Sequence, residues 1–311
     1  MIEYLNIGVR FALFANLMLL FGIPLFALYA LRGAERLQPS VLPVGTLICW
    51  LAVSGIALSV LSITVMTASM AGVQLLEVDT ESVNMMIYET PMGNAWLMRV
   101  IALIATLFVA FRMTTAKFLL KLIFLTFASA VALASVAWTG HGAAGEGSAG
   151  TAQLFADIIH LLGAGAWFGA LFALSIMLCR RAASASEEYL RLNHRLLKEF
   201  SVAGTVIVTL VFGSGVVNSW MLVGPQNVLN LFGTPYGQLL LAKLGLFGIM
   251  LALAAANRFS LTPAFECALQ GGGVTPTLTK LRKSLVIELS LAVIIILLVA
   301  WLGTLQPPAA I

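Results

Sequence analysis

Charge is scarce in this chain. Only 10% of its 311 residues are Asp, Glu, Lys or Arg, 60% are apolar, and the mean hydropathy is +1.01. No soluble domain of this size tolerates such a surface. Cysteine is scarce too: Cys49, Cys179 and Cys267 have no CxxC spacing, which argues against a disulfide framework or a thiolate metal cluster. The sequence has no Gly-rich phosphate loop beside a helix, no ATP-hydrolysing domain, and no nucleophile and base at useful spacing. The expectation is a protein that is not an enzyme and does not pump by itself. Any net flux would follow a gradient, a proton coupling or the affinities of donor and acceptor.

What the chain has is long apolar runs. Stretches of about 20 residues, enough to cross a hydrocarbon core, occur at 7–30, 41–69, 91–111, 118–138, 152–178, 200–222, 236–257 and 284–305. The expectation is an all-α, polytopic helix bundle forming one integral membrane domain over 1–311, with four-helix halves at 1–139 and 140–311. The first run is too long for a signal-peptide core and is expected to remain as a span.

Basic residues orient the bundle. The loops after odd-numbered spans hold Arg32, Arg36, Arg112, Lys117, Lys121, Arg180, Arg181, Arg191, Arg195, Lys198, Arg258, Lys280, Arg282 and Lys283, which is 14 of the 17 Lys and Arg. The other loops and both termini carry Glu3, Glu77, Asp79, Glu81, Glu89 and Glu146 instead. The positive-inside rule predicts both termini on the outer, periplasmic face of an inner membrane. Topology then explains the basic balance, and no nucleic-acid partner is needed.

The remaining cations, Arg10, Arg99 and Lys243, fall inside spans. Arg99 follows Thr90-Pro91-Met92-Gly93 and Lys243 follows Thr234-Pro235-Tyr236-Gly237, each nine residues after its Thr. Thr-Pro reads as an N-cap and first helical position, so each cation sits about 12 Å along its helix. Thr151 to His160 has the same spacing, and spans four and eight end alike in Trp138-Thr139-Gly140 and Trp301-Leu302-Gly303. These matches suggest a parallel 4+4 repeat. They predict a polar layer of His160, Arg99, Lys243 and Arg10, with Asp157 one turn above. Ionisable groups in a bilayer are costly and mark a path, a ligand site or a relay. The plainer alternative is that Asp157 pairs with Arg99 or Lys243 and only fixes the bundle. Gly163, Gly165, Gly169, Ala164, Ala166 and Ala170 make this span thin enough for close neighbours.

His141 opens a loop without bulky side chains, His141 to Gly150, which is either an exposed loop or a ligand arm. His141 and His160 share one ion if that loop folds inward, and otherwise act as successive stations. Met66, Met70, Met85, Met86, Met92, Met98 and Met221 cluster near the outer ends of spans or in the second loop. Thioethers select soft ions such as Cu(I), but Met also fills gaps in apolar helices. Glu89 and its acidic neighbours would concentrate cations. On the inner half only Cys49, Cys179 and Glu288 offer ligands. Glu288, expected near the first turn of the last span, reads as structural, paired with Lys280 or Arg282.

The runs Trp138-Thr-Gly-His141, Asp157-Ile-Ile-His160 with Trp167-Phe-Gly169, Thr234-Pro-Tyr-Gly237 with Lys243, Asn257-Arg258 and Leu302-Gly-Thr-Leu-Gln-Pro307 resemble the bacterial copper-resistance inner-membrane proteins of the CopD/PcoD family. The resemblance covers essentially all eight spans in order. It implies copper homeostasis in the inner membrane, with Cu(I) or Cu(II) as cargo, a periplasmic CopC-type copper-binding partner, and movement of copper toward the cytoplasm. Carried over by position, His141, Asp157 and His160 are the ligand candidates, and Trp138 and Trp167 line the site. By their own placement and chemistry rather than by the resemblance, Met66, Met70, Met92, Glu89, Arg99 and Lys243 are candidate accessory ligands or pathway residues. Some relatives place a His after the Arg of the first span; here the stretch is Arg10-Phe-Ala-Leu-Phe14.

Two other classes compete with a copper protein. In a b-type haem electron carrier, His141 and His160 would be axial ligands and the cations would pair with propionates. A membrane docking partner of the periplasmic copper carrier would carry out no transport of its own.

Overall fold

The computed structural model describes residues 2–113, 117–140, 147–180, 187–271 and 274–308. Ten α-helices are described: α1 (Ile2–Ala30), α2 (Val44–Ala71), α3 (Thr80–Glu89), α4 (Pro91–Phe111), α5 (Phe118–Ala134), α6 (Gly147–Arg180), α7 (Glu187–Val223), α8 (Pro235–Ala256), α9 (Thr262–Gly271) and α10 (Val274–Leu302). Eight helical segments are long and apolar enough to cross a membrane; α5 extends as a 3-10 turn to Thr139, and α8 runs through a π turn, Asn257–Leu261, into α9. An even number of spans returns the chain to the face from which it started. Large apolar side chains such as Trp50, Ile104, Phe108, Phe111, Phe127 and Phe212 stay exposed on the bundle surface, as a lipid-facing surface requires.

The bundle is built around α1 and α6, its two most buried spans. Helix α1 packs against α2, α5, α6 and α10, and α6 also packs against α7. The small residues of α6 make this possible. A Cβ at Gly169 would stand 2.4 Å from the Gly22 backbone, and one at Gly165 would meet Leu133, Phe21 and Met18. The two backbones therefore pack directly against each other, as small residues allow where lipid gives no hydrophobic drive between helices. Helix α8 packs on α10.

The two Thr-Pro phrases fold alike. Thr90 and Thr234 each cap a helix, their hydroxyls accepting from the backbone N–H of Gly93 at 3.0 Å and Gly237 at 3.1 Å. Both glycines lie against the carbonyl six residues earlier, of Ile87 and Leu231, where no Cβ would fit. Thr151 departs from this pattern. It lies within α6, its hydroxyl donating to the Gly147 carbonyl at 3.0 Å, so its spacing to His160 is not a cap-to-cation distance.

At the end opposite the termini, basic side chains close the helices. Arg36 donates to the carbonyls of Ala27 and Leu28, Arg195 to that of Ala30, and Arg282 to that of Leu178. These are last-turn carbonyls of α1 and α6 with no intrahelical partner, where positive charge is favoured. Arg195 also pairs with Glu35 at 2.5 Å and Glu199 at 3.3 Å, and Arg32 pairs with Glu199.

Candidate metal-binding cavity

Toward the termini, α1, α6, α7, α8 and α10 enclose a cavity of about 200 Å³ whose lining includes Arg10, Asp157, His160, Asn218, Tyr236 and Lys243. Four of the five ionisable side chains expected in one polar layer thus share one space. Arg99 is the exception. It sits on α4, only 1% exposed, its Nε and Nη1 without hydrogen-bond partners, and it lines neither cavity described here. The repeated phrase sets the depth of a side chain but not the face on which it emerges, and α4 turns toward α2, α3 and α5.

Asp157 and His160 stand one turn apart on one face of α6, and α7 holds both. Asn218 donates from Nδ2 to Asp157 Oδ1 at 2.8 Å. His160 Nδ1 lies 3.1 Å from the Val211 carbonyl and 3.2 Å from Ser214 Oγ. A carbonyl only accepts, so Nδ1 carries the proton and Nε2 keeps its lone pair, on a ring that lines the cavity. Fixing one ring nitrogen to a carbonyl is how proteins orient a ligating imidazole. Asp157 Oδ2 has no hydrogen bond among the described residues, and the buried Asn218 Oδ1 is also unpartnered. One imidazole nitrogen and two oxygens thus remain free, a donor set suited to a borderline cation.

Positive charge shares the space. Lys243 is close enough for its charge to act on both Asp157 and His160, yet it forms no ion pair with Asp157 within 4.0 Å. Arg10 donates to the Thr139 carbonyl at 3.5 Å and stacks over Phe14. A Cβ at Gly303 would collide with its guanidinium, so this glycine makes room for Arg10. A larger, mainly apolar cavity of about 670 Å³ adjoins, lined by His160, Lys243, Trp167, Trp220 and Phe247 among others.

Several expected site residues lie elsewhere. His141 is outside the described residues; Gly140, just before it, lines the smaller cavity. Met66 and Met70 on α2, Met92 on α4 and the exposed Glu89 on α3 line neither cavity, and nor does Trp138. Among the described residues no three His, Cys, Asp or Glu side chains converge as a metal cluster. Trp167 does line the larger cavity, and its indole donates to Glu288 at 3.2 Å. Glu288 itself is mid-helix, fourteen residues from either end of α10, 1% exposed, and its partners are Trp167 and Asn257 rather than Lys280 or Arg282. The helix starts ten residues before the expected apolar run, which moves Glu288 inward. Sequence reasoning passed over Ser214 and Asn218. Their signal is the spacing of Ile207, Val211, Ser214 and Asn218, the buried face of α7.

Two family models match the chain: Copper resistance protein D-like, N-terminal domain, over residues 1–151, and Copper resistance protein D, over 194–302. The chain is 44% identical over 304 residues to Copper resistance protein D of Pseudomonas syringae pv. tomato, covering 97% of each. It is 29% identical over 311 residues to Inner membrane protein YebZ of Escherichia coli (strain K12), covering 99% of this chain and 100% of that one. Over 179 residues it is 29% identical to Copper transport protein CutJ of Bacillus subtilis (strain 168), covering 55% of this chain and 31% of that protein. No solved structure matches the chain significantly.

Proposed function

The chain belongs to the copper resistance protein D family, and from that premise we propose that it binds copper between α6 and α7 through Asp157 and His160 and passes it inward across the membrane. The observation that carries this reading is the Val211 carbonyl on His160 Nδ1, which leaves Nε2 as the free nitrogen beside a half-free carboxylate. Both termini face the periplasm in this account, as the basic loops argue.

Copper arrives from a periplasmic CopC-type carrier, and His141, next to the cavity-lining Gly140, meets it first. Lys243 is the counter-cation of Asp157 while the site is empty and is repelled when copper enters. The chain supplies binding and passage without catalysing a reaction. Copper flux into proteoliposomes containing wild type, Asp157→Asn or His160→Ala tests this. Wild type is expected to admit copper and both variants to lose most of that flux; equal flux in all three overturns the reading.

A second reading has one observation in its favour. The 670 Å³ apolar cavity joins His160 to Lys243, a setting that suits a haem ring with one axial imidazole and a propionate partner. A Soret band in the purified protein would select it.

A further inference from the structure

Glu288 has no role in the copper site, yet the structure builds a polar station around it. Its side chain lies at the middle of α10, 1% exposed, and both oxygens are held: Oε1 by Trp167 Nε1 at 3.2 Å and Oε2 by Asn257 Nδ2 at 2.8 Å. Neither donor carries charge. Trp167 is seven residues after His160 on α6, and Glu288 is seven residues before the cavity-lining Ile295 on α10. Helix α6 thus puts the Trp167–Glu288 contact about 10 Å inward of His160, and α10 puts Glu288 about the same distance inward of Ile295. The Trp167 indole touches Glu288 and also lines the larger cavity, so it stands between the two.

Asn257 is placed by the π turn at Asn257–Leu261, where Thr262 N–H reaches back to the Asn257 carbonyl. Such interruptions of a helix gather at functional positions. The Asn257 side-chain carbonyl is buried and has no hydrogen-bond partner. An amide suits a carboxyl that changes state: its N–H donates to a carboxylate, and its carbonyl, after a half rotation, accepts from a carboxylic acid.

Among the described residues no cation neutralises Glu288. On α10, Arg282 is turned to the Leu178 carbonyl, and Lys280 and Lys283 form no bond to Glu288. Lys243 on α8 is fourteen residues before Asn257, and Arg258 in the π turn reaches Ser201 and Thr205 on α7. On α1, Arg10 holds Thr139 and Tyr29 makes no bond to Glu288. On α6, Asp157 and His160 are engaged with α7, and Cys179 is exposed near the far end. On α9, Glu266 faces His194 and Cys267 is exposed. A metal ion would need more ligands, and among the described residues none gather here. The ligand that one lone buried carboxyl accommodates is a proton.

We propose that Glu288 is a proton-binding site within the bilayer, held in both states by Asn257 and Trp167, and the station at which inward movement of a cation is balanced by a proton. The second clause rests on the copper reading; the first does not. Infrared difference spectroscopy on copper-free, reconstituted protein labelled with ¹³C-glutamate tests it, comparing wild type with Glu288→Gln between about pH 6 and about pH 9, where surface carboxylates stay ionised. Wild type is expected to show a labelled carboxylic-acid band that fades as pH rises and is missing in Glu288→Gln. Trp167→Phe, which keeps the carboxyl and removes one N–H, is expected to shift that band, and serves if Glu288→Gln does not fold. Wild-type spectra without such a band across the range overturn the proposal. Copper loading of the same sample then reports on the copper site separately: loss of the band on loading supports the coupling, and a band unmoved by bound copper overturns it.

Discussion

Replacing Lys243 with Leu removes a cavity-lining positive charge that acts on Asp157 while keeping an apolar stem in the cavity wall. A sphere of the cavity's 200 Å³ is about 7 Å across, so a copper ion at its far side feels the Lys243 ammonium over roughly that distance. At an effective dielectric of about 20, two unit charges that far apart repel by about 2 kcal/mol, roughly thirtyfold in affinity. Water in the cavity and proton competition at an unpaired Asp157 reduce this, and about tenfold tighter binding of Cu(I) is the expected result. Competition against a copper chelator of known affinity measures it on detergent-purified protein, with thermal unfolding as a check on folding. Asp157→Asn is expected to shift affinity the opposite way. Unchanged or weaker binding in Lys243→Leu would refute the reasoning, because Lys243 would then hold Asp157 in place rather than oppose the cargo.

The other predictions test the supports of the site and the bundle. Asn218→Ala frees Asp157 Oδ1 and removes the unpartnered amide oxygen beside it; it is expected to cost at least the 10- to 100-fold in copper affinity usual for a residue that only orients a ligand, read by the same competition. Gly169→Val forces α1 and α6 apart at the 2.4 Å approach to Gly22; a loss of at least about 1–3 kcal/mol is expected, visible as a lower unfolding temperature in detergent. Asp79, outside the spans, caps α3 by accepting from Ser82, which holds its carboxyl below the ordinary value. Its capping is therefore complete above the unfolded pKa near 4 and is lost as pH falls through the lower folded value. Protection of the Ser82 amide from hydrogen exchange, taken relative to the intrinsic rate at each pH, is expected to fall at acid pH in wild type and to be missing at all pH in Asp79→Ala.

Span positions were readable because a bilayer demands long apolar runs, and the observed helices contain nearly all of the expected stretches. Helix ends were less readable. Helix α7 starts at Glu187, thirteen residues before its apolar run, as an amphipathic extension stabilised by Arg191 with Glu187 and by Arg195 with Glu199. The similar extension of α10 is why Glu288 belongs to mid-helix rather than a first turn. Asp157, His160, Lys243 and Arg10 announced themselves as ionisable groups in apolar surroundings. Ser214, Asn218 and Asn257 did not, since uncharged polar residues are ordinary in spans and theirs matter only through partners on other helices. Arg99 shows the limit of a repeated phrase: identical caps at Thr90 and Thr234 start two helices alike, but neighbouring helices decide what each cation faces.

The central claim is that Asp157 and His160 hold copper. Copper content of purified wild type beside His160→Ala, by elemental analysis with an absorption spectrum of the same samples, tests it most directly. Bound copper in wild type, its loss in His160→Ala and no Soret band are the predicted result. Equal copper in both proteins, or a Soret band that His160→Ala abolishes, would contradict it.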